Sequence, residues 1–558
     1  MRKIETMVRP SFLYVLSFAG MAICIASSLG YQLQSVPLGT PFGLFGLLPM
    51  AFWIGVGFMV ASMLLGMRAG SETLFFVQAT LLFLAIWGAP AFFEKYPTIW
   101  DSYMHYNSAL AIAHNGLVPT DPTFAYAYNY PGFFVLGASY SLIGNPPALE
   151  FLKYYPLFAA VFTLAAIYLF VRTYVPRMDH RLAFLFAAFV NVWLQFNFSP
   201  QSLGLACGLL IFVYLEREGR DWRLAALVLF AFITISHPTT LVFVLGAIVL
   251  KEVFGRLYRF TFARNRPMRW DRPWPVGAFI LIWLVWFFTG AASFSLNLVQ
   301  FISDRIQFLG QINESVANQW NLRATPENIL GVIYPQLRTG AVGVFILLTG
   351  IALVSFLLLR RKGPANFPKN ILALFLIPFL IIPLDTLFFN GQLYDRGILY
   401  LMLVAPLIFV PLLMTRRWRF VRPAMAVAIA LVVILCASTM FYQEALYINN
   451  DQGIAASSFL ADSAPNTYVV GGYYPYDVWS GSDEGYMRLK ISSVFNQTTE
   501  QLSSYYGSGT FLFDNTTELW YRQWGLMEAY DFYQDQAPHN YKVYDNGAYW
   551  VMYVPRSS

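Results

Sequence analysis

Stretches of about 20 mostly apolar residues recur along this chain between residues 11 and 442, each long enough to cross roughly 30 Å of hydrocarbon at 1.5 Å per residue. Inside a bilayer every backbone N–H and C=O must be satisfied within the protein, so such stretches fold as helices. Composition agrees. The chain is 57% hydrophobic and 12% charged, against roughly 25% charged in ordinary globular proteins. The sequence therefore predicts a polytopic α-helical membrane protein. It excludes a soluble enzyme, a coiled coil, a disordered chain and a nucleic-acid-binding protein.

Reading apolar runs between charge clusters places thirteen spans near 11–30, 43–67, 72–92, 151–172, 182–197, 200–216, 224–237, 238–254, 275–293, 341–360, 370–389, 395–414 and 424–442. Most of the 36 Lys and Arg residues then fall on one side, in clusters such as Arg172/Arg177/Arg181 and Arg416/Arg417/Arg419/Arg422. Because basic residues concentrate in cytoplasmic loops, this predicts a cytoplasmic N-terminus in a cell (plasma) membrane. The net charge of +6 then reflects orientation and contact with anionic lipid headgroups, and is no sign of an acidic substrate. The run after Arg9 is too long for a cleavable signal and reads as the first span. Cys24, Cys207 and Cys436 all fall inside spans, which leaves the outer side without disulfide or cysteine–metal chemistry.

Two outer segments interrupt the short-loop pattern: residues 93–150, and a polar, Tyr- and Gly-rich tail at 443–558. The domain reading is thus a membrane module at 1–442 and an extracytoplasmic α/β domain at 443–558. In the tail a helix is expected near 451–461, strands at 468–470 and 510–513, a helix at 517–530, and a hairpin turning at Asp545-Asn546-Gly547. The tail is acidic and should stand off an anionic surface. A further outer loop at 294–338 alternates apolar and polar residues. It reads as an interfacial amphipathic helix or as a plain loop packed under the tail.

The loop at 93–150 carries the densest chemistry. Asp101 and His105 stand four residues apart and would share one helix face. Thr98-x-x-Asp101 is also close to a capping box, with Pro97 before it and Asn115-Gly116 as a stop signal, so Asp101 could equally cap its own helix. A carboxylate with an imidazole one turn away at the mouth of a bundle suits general-base work or part of a metal site. Asp121 before Pro122 reads as a turn former, or as a metal or acceptor residue. His114 reads as a partner of the helix C-terminal dipole.

Asp101-Ser-Tyr-Met-His105 resembles the Asp-x-x-x-His element of archaeal oligosaccharyltransferase catalytic subunits and their relatives. Asp121-Pro122, Tyr130-Pro131-Gly132-Phe133-Phe134 and the Leu142-Ile143-Gly144 exit continue the pattern of C-type (GT-C) membrane glycosyltransferases. His237-Pro238-Thr239-Thr240 and Tyr394-Asp395-Arg396 also look like features of archaeal relatives. The resemblance implies a multispanning enzyme that uses dolichyl- or other polyprenyl-phosphate-linked sugars on the outer face. No Trp-Trp-Asp motif occurs in the tail, so single-sugar transfer to a glycan, lipid or protein acceptor fits better than en bloc transfer to asparagine.

That reaction needs one carboxylate to deprotonate the acceptor hydroxyl and a few cations to meet the donor phosphate. Asp101 and His105 are the expected catalytic pair. Arg396, His237, Asp121, Tyr103, Lys95 and Arg305 are the expected substrate-binding set, with Arg396 first because a guanidinium grips phosphate bidentately. Arg396 next to Asp395 can also be a neighbour pair or a headgroup anchor, and His237 a helix-end hydrogen-bonding residue. A divalent cation, Mg or Mn, would be held by Asp101 and Asp121. Sequons at Asn313, Asn496 and Asn515 lie on the outer side and indicate tolerance of glycosylation at most. A lipid-linked glycan flippase or a polysaccharide polymerase is the alternative class. A transporter needs ionisable residues at mid-membrane depth, and the spans offer almost none.

Overall fold

The computed structural model describes residues 9–37, 40–66, 71–118, 120, 125–175, 179–262, 274–307, 329–358, 369–388, 393–413, 430–435, 439–441, 448–463, 469–471, 491–493, 509–514, 541–547 and 549–554. Helices dominate: α1 (Pro10–Ser28), α2 (Met50–Gly66), α3 (Glu72–Trp87), α4 (Trp100–Asn115), α5 (Ala125–Asn129), α6 (Gly132–Gly144), α7 (Ala148–Tyr174), α8 (Asp179–Phe189) and α9 (Pro200–Leu215). They continue as α10 (Arg220–Ser236), α11 (Pro238–Phe262), α12 (Trp274–Phe288), α13 (Ala292–Gln307), α14 (Ile329–Leu358), α15 (Lys369–Phe388), α16 (Tyr394–Leu413) and α17 (Asp451–Ser463).

Among the described residues, Pro10–Ser28, Ala148–Tyr174, Gln336–Ser355 and Tyr394–Leu412 are each long and apolar enough to cross a membrane. The pair Val276–Phe288 and Ala292–Gln300, bent by 87°, makes a fifth if it is one span. Met50–Gly66, Glu72–Trp87 and Pro200–Leu215 are apolar but shorter, so thirteen full-length spans is more than these helices provide. Many large apolar side chains are exposed, for instance Phe158 on α7 and Leu347 on α14. Where lipid is the solvent no penalty attaches to that, and helices associate by close packing instead. The pair α1 and α2 shows it: a Cβ added at Gly20 would lie 2.6 Å from Gly55 O, and one at Gly55 would lie 2.5 Å from Gly20 O.

Three sequence expectations need correction. The span expected at 182–197 ends at Phe189, and Val190–Ser199 is irregular before Pro200 opens α9. Its polar residues explain the break: Asn191 donates to Leu399 O on α16 at 3.0 Å, and an irregular backbone at this depth survives only where protein covers it or a cavity adjoins it. The span expected at 341–360 lies within the 30-residue α14, which starts at Ile329 and whose membrane-crossing stretch is Gln336–Ser355. Arg181, assigned to headgroup contact, is 1% exposed and pairs with Glu72 at 2.8 Å. It is an internal tie between α8 and α3.

Local signals operate as expected in the outer loop. Gly116 caps α4 in the left-handed region at φ 69°, and Asn145 closes α6 at φ 37°. The segment expected to be an amphipathic helix contains α13, turned sharply away from α12, with Leu296 and Val299 exposed. Asn129 on α5 holds that turn: its Oδ1 accepts from Ser293 Oγ at 2.7 Å and Phe294 N at 3.1 Å.

In the tail, α17 packs on a five-stranded sheet of order β2-β1-β3-β5-β4, built from β1 (Val469–Gly471), β2 (Ile491–Ser493), β3 (Gly509–Asp514), β4 (Tyr541–Asp545) and β5 (Tyr549–Val554). Strands β1/β2 and β1/β3 pair parallel, β3/β5 and β4/β5 antiparallel. Gly547, at φ 88°, makes the hairpin turn. The helix expected at 517–530, the sequons at Asn313, Asn496 and Asn515, and Cys436 lie outside the described residues.

The start of the tail helix α17 contacts the 93–150 loop. Asp451, at the start of α17, accepts hydrogen bonds from Lys95 Nζ and Tyr96 Oη. Asn449 donates to Pro97 O at 2.8 Å and to Tyr103 Oη at 3.2 Å. Lys95 holds the Asp451 carboxyl below its ordinary value.

Candidate active site

A cavity of about 710 Å³ opens beside the outer loop. The first turns of four helices contribute to its wall: Asp101 and His105 of α4, Pro200 and Gln201 of α9, Pro238 and Thr239 of α11, and Arg396 of α16. The broken segment adds Gln195 and Ser199. The bent pair α12/α13 adds Trp283, Trp286 and Phe294.

Asp101 does not cap its helix. Ile99 is the N-cap and makes no side-chain cap bond, while Thr98 Oγ1 donates to Glu94 Oε2 at 2.7 Å. The Asp101 carboxylate is instead 31% exposed and 3.3 Å from His105 Nδ1, and Asn197 Nδ2 reaches it at 3.5 Å. His105 Nδ1 also lies 2.6 Å from Asp101 O. A carbonyl oxygen only accepts, so Nδ1 carries the proton and is the donor. Phe134 stacks on the imidazole at 5.5 Å and 8°, which gives the Tyr130–Phe134 motif its place. Tyr126 stands edge-on at 6.1 Å. Burial, aided by the nearby Asp101 charge, raises the Tyr126 hydroxyl above its ordinary value, so it stays protonated.

Across the cavity Arg396 Nε donates to Gln201 Oε1 at 3.3 Å. Asp385 on α15, fully buried, accepts the backbone N–H of Leu393 at 2.8 Å and thereby holds the start of α16 from which Arg396 projects. His237 Nδ1 lies 2.6 Å from Thr240 Oγ1, and His237 Nε2 lies 2.9 Å from Thr239 Oγ1.

The cavity therefore unites Asp101, His105, His237 and Arg396 from the sequence-derived set. Others lie elsewhere. Tyr103 is buried and donates to Pro97 O at 2.8 Å, so it fastens the loop to Asn449. Lys95 is taken up by Asp451. Asp121 and the side chain of Arg305 lie outside the described residues. Among the described residues no group of three His, Cys, Asp or Glu gathers to hold a metal ion.

Gln195, Asn197, Ser199, Gln201, Thr239 and Asp385 escaped the sequence reading. A signal existed for the first three: Gln195, Asn197 and Ser199, together with Asn191, crowd one apolar stretch that ends in a proline, the mark of a broken helix.

Fold and site together describe an apolar helical protein with a largely apolar cavity, bearing Asp101, His105 and Arg396, beside the 93–150 loop. No family model matches the chain, and no curated protein matches it. Among solved structures the chain is similar to the crystal structure of ArnT from Cupriavidus metallidurans bound to undecaprenyl phosphate, at 11% identity and TM-score 0.38, covering 86% of this chain and 97% of that one. The apo state of the same protein gives 11% and 0.38 over 87% and 98%. A likeness of that size assigns no chemistry, which has to be read from this chain's own cavity.

Proposed function

We propose that this chain is a membrane glycosyltransferase that moves a single sugar from a polyprenyl (dolichyl) phosphate donor to a hydroxyl acceptor on the outer face. One observation carries the reading: a single cavity joins a hydrogen-bonded carboxylate, Asp101, to a guanidinium, Arg396, with a Trp- and Phe-rich wall. In the reaction Asp101 takes the acceptor hydroxyl proton, the acceptor oxygen bonds to the sugar C1, and the C1–O bond to phosphate breaks. The phosphate leaves with its electron pair, and Arg396 meets its charge. Residues near the N-termini of four helices line the same space, and helix N-termini favour negative charge. The aromatic wall suits the first prenyl units. If a divalent cation takes part, Asp101 is the described residue able to hold it.

The purified chain should transfer sugar from a polyprenyl-phosphate sugar and ignore the matching sugar nucleotide. Robust transfer from the nucleotide in a lipid-free preparation would refute the reading.

Arg396→Ala should weaken donor binding about 10- to 100-fold, the loss of a hydrogen bond to a charged group worth roughly 1.5–3 kcal/mol. Arg396→Lys should recover only part of that, because it keeps the charge and loses the fork. Donor KM compared across the three proteins checks it, and parental binding in both variants would return Arg396 to an anchoring role.

The same reading takes 1–442 as the membrane module and 443–558 as an outer domain, with a cytoplasmic N-terminus. A cysteine placed at exposed Lys542 should react with a membrane-impermeant maleimide in intact cells. Protection until the cells are opened would reverse the topology.

A further inference from the structure

The bend between α12 and α13 leaves the first backbone N–H groups of α13 without partners inside that helix. Ala291, the residue before α13, has no side-chain oxygen to cap them. Asn129 of α5 supplies the cap from outside. Its Oδ1 accepts from Phe294 N at 3.1 Å and Ser293 Oγ at 2.7 Å, and its Nδ2 donates to Ala125 O at 2.7 Å. A backbone N–H only donates and a carbonyl only accepts, so both ends of the amide are fixed. The same residue holds the other arm of the bend: Trp286 Nε1, in the last turn of α12, donates to Asn129 O at 3.1 Å. The Trp286 ring also rests on Gly290, where an added Cβ would lie 2.5 Å from it. Tyr130, next in the chain, meets Phe294 edge-on at 5.3 Å. Asn129 is buried and does not line the cavity, whereas Tyr130, Trp286 and Phe294 line it together with Arg396.

We propose that Asn129 is a positioning residue for the isoprenoid chain of the donor: by fastening both arms of the bend to α5 it holds Trp286 and Phe294 in place as the surface on which the chain lies, and Gly290 seats Trp286 there. This rests on the glycosyltransferase reading and deepens it, because it separates what sets recognition of the chain from what meets the phosphate. Asn129 itself touches no ligand. Its effect is preorganisation: a wall already fixed in its bound form needs no ordering when the chain arrives. An isoprenoid gains from that through apolar contact with the rings. The phosphate, met by Arg396, does not depend on the bend.

The test uses the purified full chain in lipid nanodiscs, with farnesyl phosphate and farnesol as probes that share one chain and differ in the headgroup. Asn129→Ala should weaken both about fivefold, the scale of a lost helix cap, and leave the ratio of the two affinities at its parental value. Gly290→Ala should give the same paired loss, since it displaces Trp286 and leaves Asn129 and Arg396 untouched; it decides the matter alone if Asn129→Ala does not fold. In a Phe294→Ala background Asn129→Ala should cost less than about twofold, because the two residues act as one unit. Parental binding of both probes by Asn129→Ala and Gly290→Ala overturns the proposal. So does a collapse of the ratio in Asn129→Ala, which would mean that the whole site is disturbed, and so does an undiminished cost of Asn129→Ala in the Phe294→Ala background. A parent that fails to tell farnesyl phosphate from farnesol sinks the donor reading and this inference with it. A discriminating parent whose two variants bind as it does sinks this inference alone.

Discussion

Asp101→Asn should leave the protein folded and reduce turnover by about 10²- to 10⁴-fold, the usual scale for loss of a general base. The amide fills the same volume and keeps one acceptor oxygen of the two that face His105 Nδ1 and Asn197 Nδ2, while His105 Nδ1–H keeps its 2.6 Å bond to the backbone O of residue 101. What disappears is the ability to take a proton. A role confined to the helix start would give a different outcome, a stability loss of roughly 1 kcal/mol with near-normal turnover. The geometry already separates the two, because Ile99 holds the N-cap position and the carboxylate turns toward the cavity. Turnover at saturating donor and acceptor, measured beside the thermal stability of the same preparation, decides it. Retention of more than about a tenth of parental turnover would remove Asp101 from the chemistry.

Glu72→Ala should destabilise the protein by about 3 kcal/mol. Glu72 lies at the start of α3, where Ser71 Oγ caps the helix by accepting Leu74 N at 3.2 Å. Its carboxylate accepts from Tyr168 Oη on α7, from His180 Nε2 at 2.8 Å and from Arg181 Nη2 at 2.8 Å on α8. Three helices meet at one anion. Arg181 is 1% exposed and stands 5.3 Å from the Phe75 ring, so removing Glu72 takes a carboxylate partner from a buried cation. The estimate sits at the low end for a broken buried pair because the Glu72 side chain keeps 32% of its exposure. Since the penalty comes from a buried cation losing its carboxylate, Glu72→Leu combined with Arg181→Leu should recover much of it. Thermal denaturation in one detergent across the parent, Glu72→Ala and the double variant checks this. An unchanged midpoint for Glu72→Ala would show that the cluster contributes nothing.

The membrane class, the outer-loop helix and the tail hairpin could all be read from residues close together in the chain. A run of apolar residues dictates a helix because the bilayer leaves its backbone no other partner. Pro97 and Asn115-Gly116 bracket α4 through local backbone preference, as Asp545-Asn546-Gly547 does the hairpin. The four-residue step from Asp101 to His105 guarantees a shared face from helix geometry alone. Apolarity was legible but its interruptions were misjudged: Val190–Ser199 is no continuation of α8, since its amides serve α16 and the cavity.

The sequence by itself determined which segments are helical and which residue types stand at their first turns. Tertiary structure decided that the first turns of α4, α9, α11 and α16 face one another. Nothing in a 3.6-residue period says which remote helix a given face will meet, because that follows from packing over the whole bundle. The fate of each charge was settled the same way. Lys95 and Arg181 found carboxylates in distant elements, Arg396 was carried to the cavity wall by a helix whose start Asp385 holds, and Asp101 was left open to the space between.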